Sequence, residues 1–169
     1  FYAPTGVRDD PDDSDPEDSG ATAVLSVRRL ISVMVVDIRD FTVLTRQLDE
    51  RLLSEVIGTW FRRAGNIIRE AGSWVDKYIG DAIVALFGSP VPLEDHAERA
   101  VACAIEMQWK MREINDQRRK EGRPIFEMRI GLNSGEVLAG AIGCDAKLEY
   151  TSIGETTNLA NRMEAACPI

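Results

Sequence analysis

The sequence is poorest in the residues that most catalytic chemistry borrows. Its 169 residues include one histidine, His96, so the commonest general base is nearly missing. His96 falls in the first turn of a predicted helix and is expected to be exposed and not catalytic. The three cysteines (Cys103, Cys144 and Cys167) are odd in number and widely spaced. They show no metal-ligand spacing and read as reduced thiols of a cytosolic protein. No run approaches the roughly 20 apolar residues of a membrane span, and no signal peptide is present. The first residue is Phe, so the chain is expected to be a cytoplasmic piece of a longer protein, which could itself be membrane-tethered.

Positive charge is also scarce, with 20 Lys and Arg against 28 Asp and Glu and a net charge of −8. The excess is local. Residues 1–20 carry seven acids against one arginine, a net of −6, leaving −2 for the remaining 149 residues. A nearly neutral body has no electrostatic footprint for nucleic acid, and nothing in this segment suggests direct membrane contact. Residues 1–23, rich in Asp, Pro and Ser, read as an acidic, flexible linker whose acids solvate the chain. Residues 24–169 form the body, and 44% of the chain is apolar, enough for one cored domain.

The most informative stretch of that body is Gly72 to Gly88, GSWVDKYIGDAIVALFG. It reads as two short strands, Trp74–Tyr78 and Ala82–Phe87, reversing at Ile79-Gly80-Asp81, with Gly80 supplying the conformational freedom of the turn. Asp81 then stands at the tip. A second acid, Asp37, ends the apolar run Val33-Met34-Val35-Val36. Each acid taken alone is also an ordinary turn or cap residue. Together, at the ends of neighbouring strands, they are what Mg²⁺-dependent phosphate chemistry needs, since Mg²⁺ is usually held by one or two carboxylates plus substrate phosphates.

The rest supplies a frame. Leu30–Val36 reads as a central strand, followed by a turn through residues 37–42 whose unpaired helix-start amides suit an anion. Leu48–Ala71 is an amphipathic helix with Leu52, Leu53, Val56, Ile57, Trp60, Phe61, Ala64, Ile67 and Ile68 on one stripe, ended by Gly72. A second helix runs from Glu94 to about Gly122. Phe126–Leu132 and Val137–Ile142 read as strands separated by a turn at Ser134-Gly135. Tyr150–Ile153 is a short strand and Glu155–Ala166 a helix. The order predicts an α+β fold, the ferredoxin-like βαββαβ antiparallel sheet with two helices on one face, plus an extra C-terminal strand and helix. The other face is expected to stay open.

VVDIRDFT at 35–42, VDKYIGDAIVALFG at 75–88, MRIGLNSGEVLAGAIG at 128–143 and YTSIGETTNLANRMEAA at 150–166 resemble the catalytic domain of class III nucleotidyl cyclases. The resemblance covers about residues 30–166, in the family's motif order. It implies a head-to-tail homodimer with the active site between chains. It also implies attack of a ribose 3′-hydroxyl on the α-phosphate of a nucleoside triphosphate, with pyrophosphate leaving. By family match, Asp37, Asp81 and the Ile38 carbonyl hold two Mg²⁺ or Mn²⁺ ions per active site, and the turn through Phe41 and Thr42 cradles the outer phosphates. The opposite chain supplies Lys77 and Thr151 to read the base, and Asn158 and Arg162 to orient the ribose and stabilise charge on the α-phosphate. Arg129 matches a phosphate-contacting arginine. Each of these has a plainer alternative: edge protection for Lys77, β-propensity for Thr151, a surface position for Arg162, pairing with Glu127 or Glu136 for Arg129.

A lysine facing the base favours ATP, because guanylyl cyclases tend to carry Glu there. Thr151 stands where many members have Asp and resembles the bicarbonate-responsive bacterial branch, which raises bicarbonate stimulation. The family continues past the position of Ile169 with further strands and a triphosphate-binding lysine. The resemblance therefore implies an adenylyl cyclase under an upstream sensor domain. The alternatives are a guanylyl or relaxed purine cyclase, or a silent regulatory dimerisation module. A silent module would be expected to have lost a metal acid or the Asn158/Arg162 pair, and a diguanylate cyclase would need a Gly-Gly-Asp/Glu-Glu-Phe turn; neither condition is met.

Overall fold

The computed structural model describes residues 25–144 and 147–168; the acidic linker expected at 1–23 lies outside them. The elements, in order, are β1 (Leu25–Ile38), α1 (Phe41–Gln47), α2 (Glu50–Glu70), β2 (Trp74–Ile79), β3 (Ala82–Phe87), α3 (His96–Lys120), β4 (Met128–Cys144), β5 (Lys147–Ile153) and α4 (Glu155–Ala166). The five strands form one antiparallel sheet in the order β2-β3-β1-β4-β5. Its first four strands have the ferredoxin-like arrangement, with β5 and α4 added.

The run through residues 33–36 is continuously apolar because β1 is buried on both faces. Met34, Val36 and Ile38 pack with Ala64 and Ile68 of α2 and with Ala100, Cys103, Met107 and Met111 of α3. Ile31, Val33 and Val35 pack with Val84, Leu86, Val137, Ala139 and Ala160 of α4. The second face is therefore not left open as expected: α4 covers part of it. The approach is close enough that a Cβ on Gly131 would collide with the Ala160 carbonyl and the Glu164 amide. A glycine is required there because the helix backbone lies directly on the strand.

The expected turn at Ser134-Gly135 does not exist. β4 is one strand of 17 residues, paired with β1 without a break from Ile38↔Met128 to Leu25↔Ala141. Ser134 lies opposite Ser32, their hydroxyls 2.5 Å apart, and Gly135 makes room for the Thr156 side chain. The dipeptide that reads as a turn is a pair of small residues under a docked helix.

His96 is half-buried at the start of α3, its Nδ1 2.8 Å from the Ser32 hydroxyl, and so is less exposed than expected. Cys103 is buried and its thiol is pushed up to about 12 by burial, which makes it inert. Among the described residues no helix is long and apolar enough to cross a membrane.

The sheet is strongly curled, as long twisted ribbons are. β2 and β5 occupy its opposite edges, yet the Lys77 ammonium on β2 reaches the Thr151 hydroxyl on β5 at 2.9 Å. Tyr150 of β5 likewise meets Ser89, just past β3, at 2.6 Å.

Candidate active site

Asp37 is the penultimate residue of β1, and Asp81 closes the two-residue turn between β2 and β3. Gly80 takes φ +62° in that turn, a left-handed value that glycine adopts without penalty. The tip is anchored at two points. The Ile38 N–H donates to Asp81 Oδ2 at 3.3 Å, and the Trp60 indole of α2 donates to the Asp81 carbonyl at 3.1 Å. Burial pushes the Asp81 carboxyl up to about 7, and the neighbouring Asp37 carboxylate adds to the shift. Two neighbouring carboxylates repel each other when both are charged.

Arg129 of β4, opposite Asp37 in the register, lies 3.2 Å from Asp37 Oδ2 and 2.9 Å from Glu164 Oε1 of α4. It pairs with neither Glu127 nor Glu136, the partners open to it in the sequence. The contact with Glu164 is an ion pair by distance without hydrogen-bond alignment, and Asp37 Oδ1 is buried with no hydrogen-bond partner. Glu164 is itself pushed up by burial, with Arg129 pulling it back.

An orphaned carboxylate oxygen beside a second acid fits a hard divalent cation, whose charge would offset the repulsion between them. Among the described residues no group of three or more His, Cys, Asp or Glu converges on one point. The protein would therefore contribute two carboxylates, and substrate phosphates and water the rest.

Lys77 and Thr151 form a second cluster. Thr151 Oγ1 accepts from Lys77 Nζ and donates to Asp76 Oδ2 at 3.0 Å. Asp76 also lies 3.4 Å from Lys77 Nζ, its side chain only 1% exposed. Burial pushes its carboxyl up against the opposing pull of Lys77 and Thr151.

The remaining candidates stay apart. Asn158 and Arg162 are exposed, on the side of α4 away from its buried stripe of Thr156, Ala160 and Glu164. Neither side chain has a hydrogen bond or ion pair among the described residues. Phe41 packs against the core and Thr42 is exposed at the start of α1, so the 38–42 turn offers backbone to a ligand, after Asp40 at φ +53°. Neither acid, nor Lys77 or Thr151, lines either of two concavities of the described chain. One is a hollow of about 350 Å³ between α2 and β2, the other a groove of about 910 Å³ between α2 and α3.

Asp76, Glu164 and Trp60 were not read as site residues from sequence. Asp76 is invisible because it sits in a bulge between Val75 and Lys77, which re-aims a side chain against the strand's alternation. Trp60 and Glu164 fit helix patterns, and only docking reveals their second roles.

The profile of the adenylate and guanylate cyclase catalytic domain matches residues 26–168. The chain belongs to that family. The cyclase domain is 33% identical over 143 residues to an adenylate cyclase of Anabaena cylindrica, a match covering 82% of this chain and 27% of that protein. Among solved structures, the adenylyl cyclase CyaB from P. aeruginosa superposes with a TM-score of 0.79 at 32% identity, covering 83% of this chain and 74% of that one. The guanylyl cyclase Cya2 does so with a TM-score of 0.77 at 37% identity, covering 83% and 72%. The cyclase domain spans about a quarter of the length of the curated relatives it matches. Its neighbours include cyclases of both purines, so likeness alone leaves the substrate open and local chemistry has to choose.

Proposed function

We propose that this domain is an adenylyl cyclase, converting ATP to 3′,5′-cyclic AMP and pyrophosphate at a site shared across a head-to-tail homodimer. The observation that carries the reading is the meeting of Lys77 and Thr151 from opposite edges of the sheet, 2.9 Å apart. An ammonium only donates. Adenine N1 accepts, whereas guanine N1 carries a proton, so a lysine in this place favours adenine.

Asp37 and Asp81 present the carboxylate oxygens for Mg²⁺ or Mn²⁺, two per site, and Ile38 steadies Asp81. When bound, the metals would lower the pKa of the ribose 3′-hydroxyl and offset the triphosphate charge. Arg129 sets a positive charge beside Asp37, facing the phosphates. Asn158 and Arg162, free on the outer side of α4, serve the site of the partner copy by orienting the ribose and the α-phosphate. The sharing is supported by the exposure of Asn158 and Arg162, whose side chains find no partner among the described residues. The curated relatives carry most of their length outside the match, which is consistent with a further regulatory domain in the whole protein, as an upstream sensor would be.

A guanylyl cyclase is the second reading, favoured by the similarity to Cya2. Turnover with ATP and GTP side by side separates the two. Lys77→Glu reverses the polarity facing the base, and a mismatched buried polar pair costs about 1–3 kcal/mol. The ATP-to-GTP ratio of kcat/KM is expected to fall roughly tenfold or more; an unchanged ratio in a folded variant moves base reading elsewhere.

A further inference from the structure

Thr151 cannot discriminate between purines unaided. A hydroxyl carries one proton and two acceptor positions, so it can accept from the exocyclic amine of adenine or donate to the 6-oxo group of guanine with equal ease. Its neighbours remove that freedom. The Thr151 proton goes to Asp76 Oδ2 at 3.0 Å. One acceptor position is used by Lys77 Nζ at 2.9 Å. A single acceptor position is left for an incoming group.

Asp76 is placed for this task and poorly placed for a merely structural one. The bulge between Val75 and Lys77 takes it out of the ladder. Its side chain is 1% exposed, and its Oδ1 is buried with no hydrogen-bond partner. A buried carboxylate is costly unless paired, and here burial outweighs the pull of Lys77 and Thr151 on its ionisation, with Glu149 adding to the cost. An apolar side chain would fill the same space at lower cost but would leave the Thr151 hydroxyl free to turn.

We infer that Asp76 is a positioning residue for purine selection: by holding the Thr151 proton it makes that hydroxyl an acceptor only, matched to a 6-amino purine and opposed to a 6-oxo purine. The inference rests on the cyclase reading above and goes beyond it. Discrimination at this position is assigned to a buried acid that never touches the base.

The test is a set of kcat/KM values for ATP and GTP, measured on the full-length protein and on variants shown to be folded by thermal melting. Asp76→Leu removes the acceptor and frees the hydroxyl to donate, and the ATP-to-GTP ratio is expected to fall about tenfold. Asp76→Asn keeps an amide oxygen that can still accept, and is expected to retain most of the wild-type ratio. In a Thr151→Val background, adding Asp76→Leu is expected to leave the ratio within about twofold, because Asp76 acts through the hydroxyl. If Asp76→Leu does not fold, Asp76→Val carries the same comparison.

An ATP-preferring wild type whose folded Asp76→Leu keeps that preference overturns this inference alone. So does a fall of the same size with and without the Thr151 hydroxyl, which would show Asp76 acting through Lys77 or the fold. A wild type that prefers GTP overturns the adenine assignment and this inference together. One that cyclises neither nucleotide overturns the cyclase reading itself.

Discussion

The domain has two clusters in which an acid is held against its preference to be neutral, and they are finished to different degrees. Around Asp76 the charge account closes within the fold: Lys77 lies 3.4 Å away and the Thr151 hydroxyl donates to it. Around Asp37 and Asp81 it does not. Arg129 is shared between Asp37 and Glu164, and Asp81 has an acid neighbour and is pushed up to about 7. Under the proposed function, the first arrangement suits a neutral polar edge and the second suits cationic charge from outside.

The strongest way to break this contrast is to remove the incomplete side. Asp81→Ala deletes one carboxylate and is expected to lower cyclic nucleotide formation on the order of a thousandfold, the scale of several kcal/mol of lost charge stabilisation. Near-normal turnover in a folded variant would end the cation assignment. Mixing that variant with Arg162→Ala asks whether the two clusters serve one site from two copies. In a two-fold dimer each mixed pair has one doubly damaged and one intact site, so random exchange is expected to restore about a quarter of wild-type activity. No recovery, with exchange shown independently, would put each site within one chain.

A smaller effect separates the clusters by the packing beneath them. Gly131→Ala forces α4 off β4, because the new methyl meets the Ala160 carbonyl and the Glu164 amide. Overpacking of this kind costs about 1–3 kcal/mol. The expected result is a lower melting temperature and a loss of activity with ATP and GTP alike, since Glu164 and Arg162 move while Lys77 and Thr151 do not. A changed ATP-to-GTP ratio would show that α4 also sets base reading.

The smallest effect sharpens the contrast through pH. Asp81 and Asp76 both have folded pKa values above the ordinary 3.8. Each therefore contributes stability that is complete below about pH 3.8 and is lost as pH rises through its folded value, near 7 for Asp81. Without divalent cation, Asp81→Asn and Asp76→Asn should each melt higher relative to wild type as pH rises from 4 to 8. Added Mg²⁺ should close the gap for Asp81→Asn only, by stabilising the wild type. Equal behaviour of the two variants toward Mg²⁺ in thermal melts would erase the distinction.

Local chemistry along the chain was enough for the elements whose signals are local. The strand Ala82–Phe87 and the helix Glu155–Ala166 have the bounds their sequences suggest, because a Gly-Asp turn, a leading glycine and apolar spacing act within a few residues. The two acids were legible for the same reason: Asp37 follows the apolar run 33–36, and Asp81 stands in the Gly80-Asp81 turn just before another. Long-range contact decided the rest. β1 begins at Leu25, well before the apolar run, and β4 passes straight through Ser134-Gly135, because each strand satisfies the other's backbone hydrogen bonds over its whole length and composition no longer has to. Only the curl of that ribbon brings Thr151 to Lys77. A bulge with no signature in Val75-Asp76-Lys77 turns an acid inward, and a glycine beneath α4 lets Glu164 approach Arg129. These depend on which surfaces meet, and a residue's neighbours in space are set by packing that its neighbours in sequence do not encode.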